Sequence, residues 1–283
     1  MFVKKIIEER LATNILSMSP LSGGDINEVL QIQTTIGHYV VKYNDKEKFP
    51  GMLAKEAKGL KLILNNGFTT PPVIDSFSDR ASQFLILDYI EPEKPSKIFW
   101  NRFAKRLSLL HQKGNDFFGL DYSNYIGSLP QKNDRKTTWE EFFVQNRLEP
   151  LIKTAFNKGL LRSPHLQRFE HLFTLLKDVI PDEQPALLHG DLWSGNFLCA
   201  LGQKPVLIDP AVYYGHREVD IAMTRMFGGF DPSFLEYYND YYPLEKGWER
   251  RMPVHNLYPN LVHLILFGSS YLGGIESVLK SFD

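Results

Sequence analysis

Two short apolar segments in the second half of the chain, Ala186–Leu188 and Val206–Ile208, constrain the fold most, because each delivers an acid to a turn. The first runs into Leu188-His189-Gly190-Asp191-Leu-Trp-Ser-Gly-Asn196, presenting an aspartate and, five positions on, an asparagine. The second ends in Asp209-Pro210, thirteen positions beyond that asparagine. As strands, they would set two carboxylates and a carboxamide at neighbouring strand ends. Phosphoryl transfer asks for such a set. One carboxylate orients and deprotonates the attacking hydroxyl, while an amide oxygen and a second carboxylate hold Mg²⁺ against the phosphates. Magnesium takes hard oxygen ligands, so Asp with Asn suits it. A lone His-Gly-Asp is most often a turn whose Asp accepts a local backbone hydrogen bond. A lone Asp-Pro is blander still; the joint spacing is what points to chemistry.

The first ninety residues supply an independent check. Phe2–Leu11 has helical character, Ile26–Thr35 and His38–Lys42 read as strands joined at Thr35-Ile-Gly37, and Phe49–Leu64 returns to helical spacing with Leu53, Ala57, Leu60 and Leu64 on one stripe. Asn65-Asn-Gly67 is a helix stop. Val73–Phe77 and Gln83–Leu87 are two further strands. Lys42 ends an apolar strand, where a solvated terminus is the plain alternative. Glu56 lies three after Leu53 and four before Leu60, so it faces inward. An inward carboxylate is costly without a partner. Lys42 is the natural one, and the pair would hold an ATP phosphate; a partly exposed Glu beside Lys55 or Lys58 is the alternative. Leu21-Ser-Gly23-Gly24-Asp25-Ile-Asn27 could bring backbone N–H groups to phosphate, although it lacks the spaced glycines of G-x-G-x-x-G and could be a plain hairpin turn.

Beyond Glu91-Pro-Glu-Lys-Pro95 the character turns mostly helical, with patterns at Phe99–His111, Thr138–Arg147 and Pro164–Val179. The expectation is an α+β bilobal chain: a small β-rich lobe over residues 1–90, a proline-marked hinge near 88–95, and a larger helical lobe over 91–283. Charge excludes other classes. The 283 residues carry 32 Lys+Arg against 33 Asp+Glu, and 1–90 holds ten of each sign, so neither lobe offers a basic field for nucleic acid or an anionic membrane. The single cysteine, Cys199, cannot form an internal disulfide, and the N-terminus breaks into charge before a signal-peptide apolar run could form. A soluble, cytoplasmic chain is expected.

The sequence resembles the protein-kinase-like superfamily, and within it the fructosamine kinase (ketosamine-3-kinase) family. The resemblance rests on HGDLWSGN, Asn124-Tyr-Ile-Gly-Ser-Leu-Pro-Gln131, Trp139-Glu-Glu-Phe-Phe143 with Arg147-Leu148, Gly215-His-Arg-Glu-Val-Asp-Ile-Ala222, Met226-Phe-Gly-Gly-Phe230 and Leu266-Phe-Gly-Ser-Ser-Tyr-Leu-Gly273. With the N-terminal elements these runs span nearly the whole chain. The resemblance implies a bilobal kinase fold with ATP and Mg²⁺ between the lobes. It implies phosphorylation of the 3-hydroxyl of a free or protein-bound ketosamine, whose unstable 3-phosphate releases the amine. By matching positions, Asp191 would be the base, Asn196 and Asp209 the metal ligands, and Lys42 with Glu56 the phosphate-holding pair. Gly23 and Gly24 would form the nucleotide-facing turn, Asp88-Tyr89-Ile90 the adenine hinge, and Asp220 the brace of the catalytic loop.

Several positions depart from protein kinases or stay open. Gly190 stands where protein kinases carry Arg, and Pro210-Ala211 replaces Phe-Gly, so no activation loop read through an Arg–phosphate pair is expected. The charge of Asp25 would repel phosphate unless it points away. Trp193 could stack on a sugar or chain face, with His216 and Glu218 as nearby polar candidates; each could equally be structural. The Phe234, Tyr237, Tyr238, Tyr241, Tyr242 cluster is expected to be helix packing, and His111 and His263 core histidines. The rivals are an aminoglycoside or other hydroxyl kinase of the same superfamily and a nucleotide-binding pseudokinase scaffold. From His189 to Asp220 there are four acids against Lys204 and Arg217, so Mg²⁺ and Lys42 would have to supply the positive charge for ATP.

Overall fold

The computed structural model describes residues 2–21 and 26–283, so Gly23, Gly24 and Asp25 lie outside the described residues. Helix α1 (Phe2–Leu11) precedes β1 (Ile15–Pro20), β2 (Glu28–Thr34) and β3 (His38–Asp45); α2 (Met52–Asn65) leads to β4 (Val73–Asp79) and β5 (Ser82–Asp88). The five strands form one antiparallel sheet in the order β1-β2-β3-β5-β4. Alternation along β3 gives the sheet two apolar faces. Tyr39 and Val41 pack with Ile7 of α1 and Ile32, Phe84 and Ile86. On the other face Val40 joins Leu85 and Leu87 against Leu53, Ala57 and Leu60 of α2. Leu53, Ala57 and Leu60 of the stripe read from spacing are therefore buried, whereas Leu64, its last member, is exposed and Ile63 is buried in its place.

The helical lobe begins with α3 (Lys97–His111), capped by the Ser96 side chain accepting from the Ile98 N–H. A small hairpin follows, β6 (Asn124–Ile126) and β7 (Leu129–Gln131), then α4 (Trp139–Phe142), a π-helical turn at Phe143–Leu148, α5 (Glu149–Asn157) and α6 (Ser163–Val179). The helix expected over Thr138–Arg147 is present from Trp139 and widens to π geometry from Phe143 without a break. The wider turn accompanies a fully buried Arg147, which donates to Asn133 Oδ1 (2.7 Å) and lies 4.0 Å over the Tyr213 ring.

Strands β8 (Ala186–Leu188), β9 (Phe197–Ala200), β10 (Lys204–Leu207) and β11 (Tyr213–Gly215) form two antiparallel pairs, β8 with β11 and β9 with β10. The chain closes with α7 (Glu218–Thr224), α8 (Ser233–Tyr241), α9 (Trp248–His255), α10 (Leu257–Phe267) and α11 (Leu272–Lys280). On α8, Phe234 and Tyr238 are fully buried, as expected for packing. None of the described helices is long and apolar enough to cross a membrane.

The hairpin β6–β7 reaches from the helical lobe to α2. Asn124 Nδ2 donates to the Val212 carbonyl (2.9 Å), and the Tyr125 hydroxyl donates to the Pro50 carbonyl just ahead of α2 (3.2 Å). On α2 itself, Gly59 gives the close approach: a Cβ there would meet Val212 and Pro210 at 3.2 and 3.3 Å. The helix carrying Glu56 is thereby packed directly on the segment that follows Asp209.

Candidate active site

The turn after β8 is built around Gly190, whose φ is +82° and whose hypothetical Cβ would lie 2.2 Å from the Ala211 carbonyl oxygen. Only glycine fits there, which accounts for its presence where protein kinases carry Arg. The fully buried Asp220 carboxylate accepts the His189 N–H (2.7 Å) and the Gly190 N–H (2.9 Å), and His111 Nε2 lies 3.2 Å from it. The other His111 nitrogen meets the Tyr238 hydroxyl at 2.7 Å, so His111 is a satisfied core histidine. His189 donates from Nε2 to the Ile208 carbonyl (2.9 Å) and accepts the Asp191 N–H at Nδ1 (3.2 Å), tying the two acid-bearing turns together. Burial holds this imidazole below its ordinary pKa, in keeping with the neutral form.

Five of the residues singled out by sequence meet in one cleft. Lys42 Nζ donates to Glu56 Oε1 (2.8 Å) and to Asp209 Oδ1. Burial pulls the Lys42 pKa down, but Asp209 and Glu56 outweigh it and hold the ammonium charged well above its ordinary range. Asp209 sits in the left-handed region at φ 55°, uncommon for a non-glycine residue, which aims its carboxylate across the lobes at Lys42. Across the cleft, Asn196 Nδ2 donates to the Asp191 carbonyl (2.8 Å) and to Asp191 Oδ2 (3.0 Å). Burial pushes the Asp191 carboxyl up to about 7, with Asn196 opposing and Asp209 and Asp220 assisting.

The donor set fits a hard divalent cation. Because the Asn196 amide nitrogen is spent on Asp191, its Oδ1 is left without a hydrogen bond among the described residues, and Asp209 keeps one carboxylate oxygen clear of Lys42. These residues line a cavity of about 370 Å³, together with Trp193. The expected hinge residues Asp88, Tyr89 and Ile90 do not line it; they lie where the chain leaves β5. There the Ile90 N–H has no hydrogen bond to another described residue.

His216 and Glu218, expected near the acceptor, are not brought to this cavity and form a separate buried cluster instead. Glu218 accepts from Arg251 Nε (2.8 Å), Arg251 Nη2 (2.5 Å) and His255 Nε2 (3.2 Å). His216 donates from Nε2 to the Pro181 carbonyl (3.2 Å) and stacks on His255 with ring centroids 5.1 Å apart. His216, Glu218 and His255 lie close enough to share a cation, but Arg251 already occupies the carboxylate.

Burial, reinforced by His255, holds His216 down to about 3. Because the unfolded chain takes that proton first, stability falls as pH drops below the ordinary histidine value of about 6.5 and keeps falling toward pH 3. Urea unfolding at pH 7 and pH 5 is expected to differ by about 2 kcal/mol on this account, and His216→Phe should shrink the difference. An unchanged difference in the variant would contradict it.

One cavity-lining residue reads from sequence as a core histidine. His263 is only half-buried and lines the cavity, stacked on Tyr271 and edge-on to Phe227, both with centroids 5.0 Å away. The available signal was the stripe Pro259, His263, Leu266 on α10, at i, i+4, i+7 spacing, all of it facing the cavity.

Known proteins resemble this chain along almost its whole length. The fructosamine kinase family model matches residues 2–282. A protein named a probable ketoamine kinase, from Enterococcus faecium, is 39% identical over 270 residues, covering 93% of this chain and 94% of that protein. A solved structure of a fructosamine-3-kinase candidate from Thermobifida fusca superposes with a TM-score of 0.88 at 29% identity, covering 99% of this chain and 98% of that one. An aminoglycoside phosphotransferase solved with AMP-PNP and hygromycin B shares the fold alone, with a TM-score of 0.68 at 15% identity over 99% of both chains. The bilobal architecture is therefore protein-kinase-like. Matched along almost its whole length by both the family model and its relatives, the chain belongs to the fructosamine kinase family.

Proposed function

We propose that the protein is a Mg·ATP-dependent ketosamine kinase that phosphorylates the 3-hydroxyl of a ketoamine such as fructosyl- or ribulosyl-lysine. That 3-phosphate would then lose inorganic phosphate by elimination next to the C2 carbonyl, and hydrolysis of the resulting imine would release the free amine. The kinase reading is carried by one observation: Lys42, bonded to both Glu56 and Asp209, faces the same cavity as the Asp191–Asn196 pair. The ketosamine acceptor is supported by membership of the family.

Asp191 accepts the proton of the acceptor hydroxyl as its oxygen bonds to the γ-phosphorus and the bond to the β–γ bridging oxygen breaks. Its raised pKa, about 7, matches a base that takes a proton near neutral pH. Asn196 holds the carboxylate in place, and Asp220 holds the turn that carries it. Lys42, kept charged and oriented by Glu56, stabilises the phosphates. Bound Mg²⁺, on Asn196 Oδ1 and Asp209, would neutralise charge developing on the transferred group. The backbone at Asp88 and Ile90 would receive adenine, whose N6 donates and N1 accepts. Trp193 and His263 would flank the acceptor.

The purified protein is expected to consume ATP with fructosyl-lysine, to stop in EDTA and to recover with Mg²⁺. Turnover on an aminoglycoside with none on any ketosamine would replace the acceptor assignment. Nucleotide binding without turnover on a broad panel of hydroxyl acceptors would instead favour a scaffold.

A further inference from the structure

Among the described residues, five charged side chains line the cavity: Lys42, Glu56, Asp191, Asp209 and Lys55. Four are engaged, Lys42 with Glu56 and Asp209, and Asp191 with Asn196. Lys55 is the exception. It is half-buried and has no ion pair among the described residues, with its ammonium resting 4.9 Å from the ring centroid of Tyr125 on β6. A ring face attracts the charge but leaves the three N–H donors of an ammonium without acceptors. Its own helix cannot supply one. The positions three and four residues away are Gly51, just ahead of α2, and Met52, Lys58 and Gly59 on it, and the adjacent Glu56 is committed to Lys42.

The wall that Lys55 shares with the hairpin and α10 holds no carboxylate among the described residues. Tyr125, Ile126, Val262, Leu266 and Phe267 are aromatic or aliphatic. His263 is held by the Pro259 carbonyl, 2.6 Å from its Nδ1, and burial keeps it below its ordinary pKa. Among the described residues, this half of the cavity thus offers apolar contact and one uncommitted cation, and the carboxylates that line the cavity lie on the Lys42 or Asp191 side. An acceptor that carries a negative charge complements it, and a neutral one leaves the ammonium unpaired.

We infer that Lys55 is a specificity-determining residue that receives an anionic group of the ketosamine, either a carboxylate on its amine half or a phosphate on its sugar half. The inference rests on the ketosamine-kinase reading and deepens it, because it favours ketosamines of free amino acids or sugar phosphates over those buried in neutral peptide.

The test compares three acceptors at fixed Mg·ATP: Nα-acetyl-Nε-fructosyl-lysine, its carboxamide, and the carboxamide bearing a 6-phosphate on the sugar. The wild-type protein is expected to favour at least one anionic acceptor over the neutral carboxamide by about tenfold in kcat/KM, carried by KM. Lys55→Met should bring that ratio to about one without moving KM for ATP, and Lys55→Arg should retain it. Preference confined to the acid assigns a carboxylate, and preference confined to the sugar phosphate assigns a phosphate; either supports the inference. Equal use of all three acceptors by the wild type overturns it. So does a Lys55→Met variant that weakens ATP and every acceptor alike, since Lys55 would then serve the nucleotide or the fold. No turnover on any ketosamine would overturn the proposed function as well, whereas turnover without anion preference overturns this inference alone.

Discussion

Asp191→Asn is expected to lower kcat by about 10³-fold or more while ATP binding stays within about twofold of wild type. The substitution keeps the side-chain shape and an oxygen that can accept from Asn196 Nδ2, so the turn anchored by Asp220 should persist. What is lost is the basic oxygen that takes the hydroxyl proton. On the proposed reading, nucleotide affinity rests mainly on Lys42, which is bonded to Glu56 and Asp209 rather than to Asp191, and so should not depend on that oxygen. Steady-state kinetics beside calorimetric ATP titration separates the two effects. A variant within tenfold of wild-type kcat would show that Asp191 is not the base.

Gly190→Ala should have the largest effect on stability. Two costs combine, a left-handed φ of +82° and a Cβ driven to 2.2 Å from the Ala211 carbonyl oxygen. The carbonyl has little room to yield, because Ala211 donates its own N–H to the His189 carbonyl (2.9 Å) and accepts from Gln131 Nε2 (3.0 Å). Strain and overpacking together are expected to cost about 4 kcal/mol, seen as a lowered urea midpoint. Gly202→Ala is the matched control. Its φ of +76° is similar, but nothing lies within 4 Å of the added Cβ, so about 1 kcal/mol is expected. Equal losses in the two variants would remove the steric argument for glycine at position 190.

The half of the candidate site around Asp191 and Glu56 was legible because its parts are local in sequence. The spacing of Asp191, Asn196 and Asp209 is set by one turn and one hairpin, and the inward stripe of α2 identifies Glu56 without any long-range knowledge. The helix at Phe2–Leu11 is likewise declared by its own periodicity. What stayed hidden depends on distant partners. His216 and Glu218 sit two to four residues before Asp220 and look like site residues, yet their environment is made by Arg251 and His255, more than thirty positions later. Conversely His263, in an apolar run, resembles a core histidine until α10 turns its Pro259–Leu266 stripe toward the cleft. Strand β1 escaped because five of its six residues are exposed, so no alternation is written into Ile15–Pro20. The change to π geometry after Phe142 coincides with the buried Arg147, a tertiary environment that helical propensity does not record.

The most direct test is to identify where the phosphate goes. Purified protein incubated with Mg·ATP and fructosyl-lysine should yield a ³¹P signal coupled to the proton on carbon 3 of the sugar. That signal should then decay as free lysine appears at the same rate. A phosphate on any other oxygen, or a stable phosphorylated adduct that never releases lysine, would contradict the account.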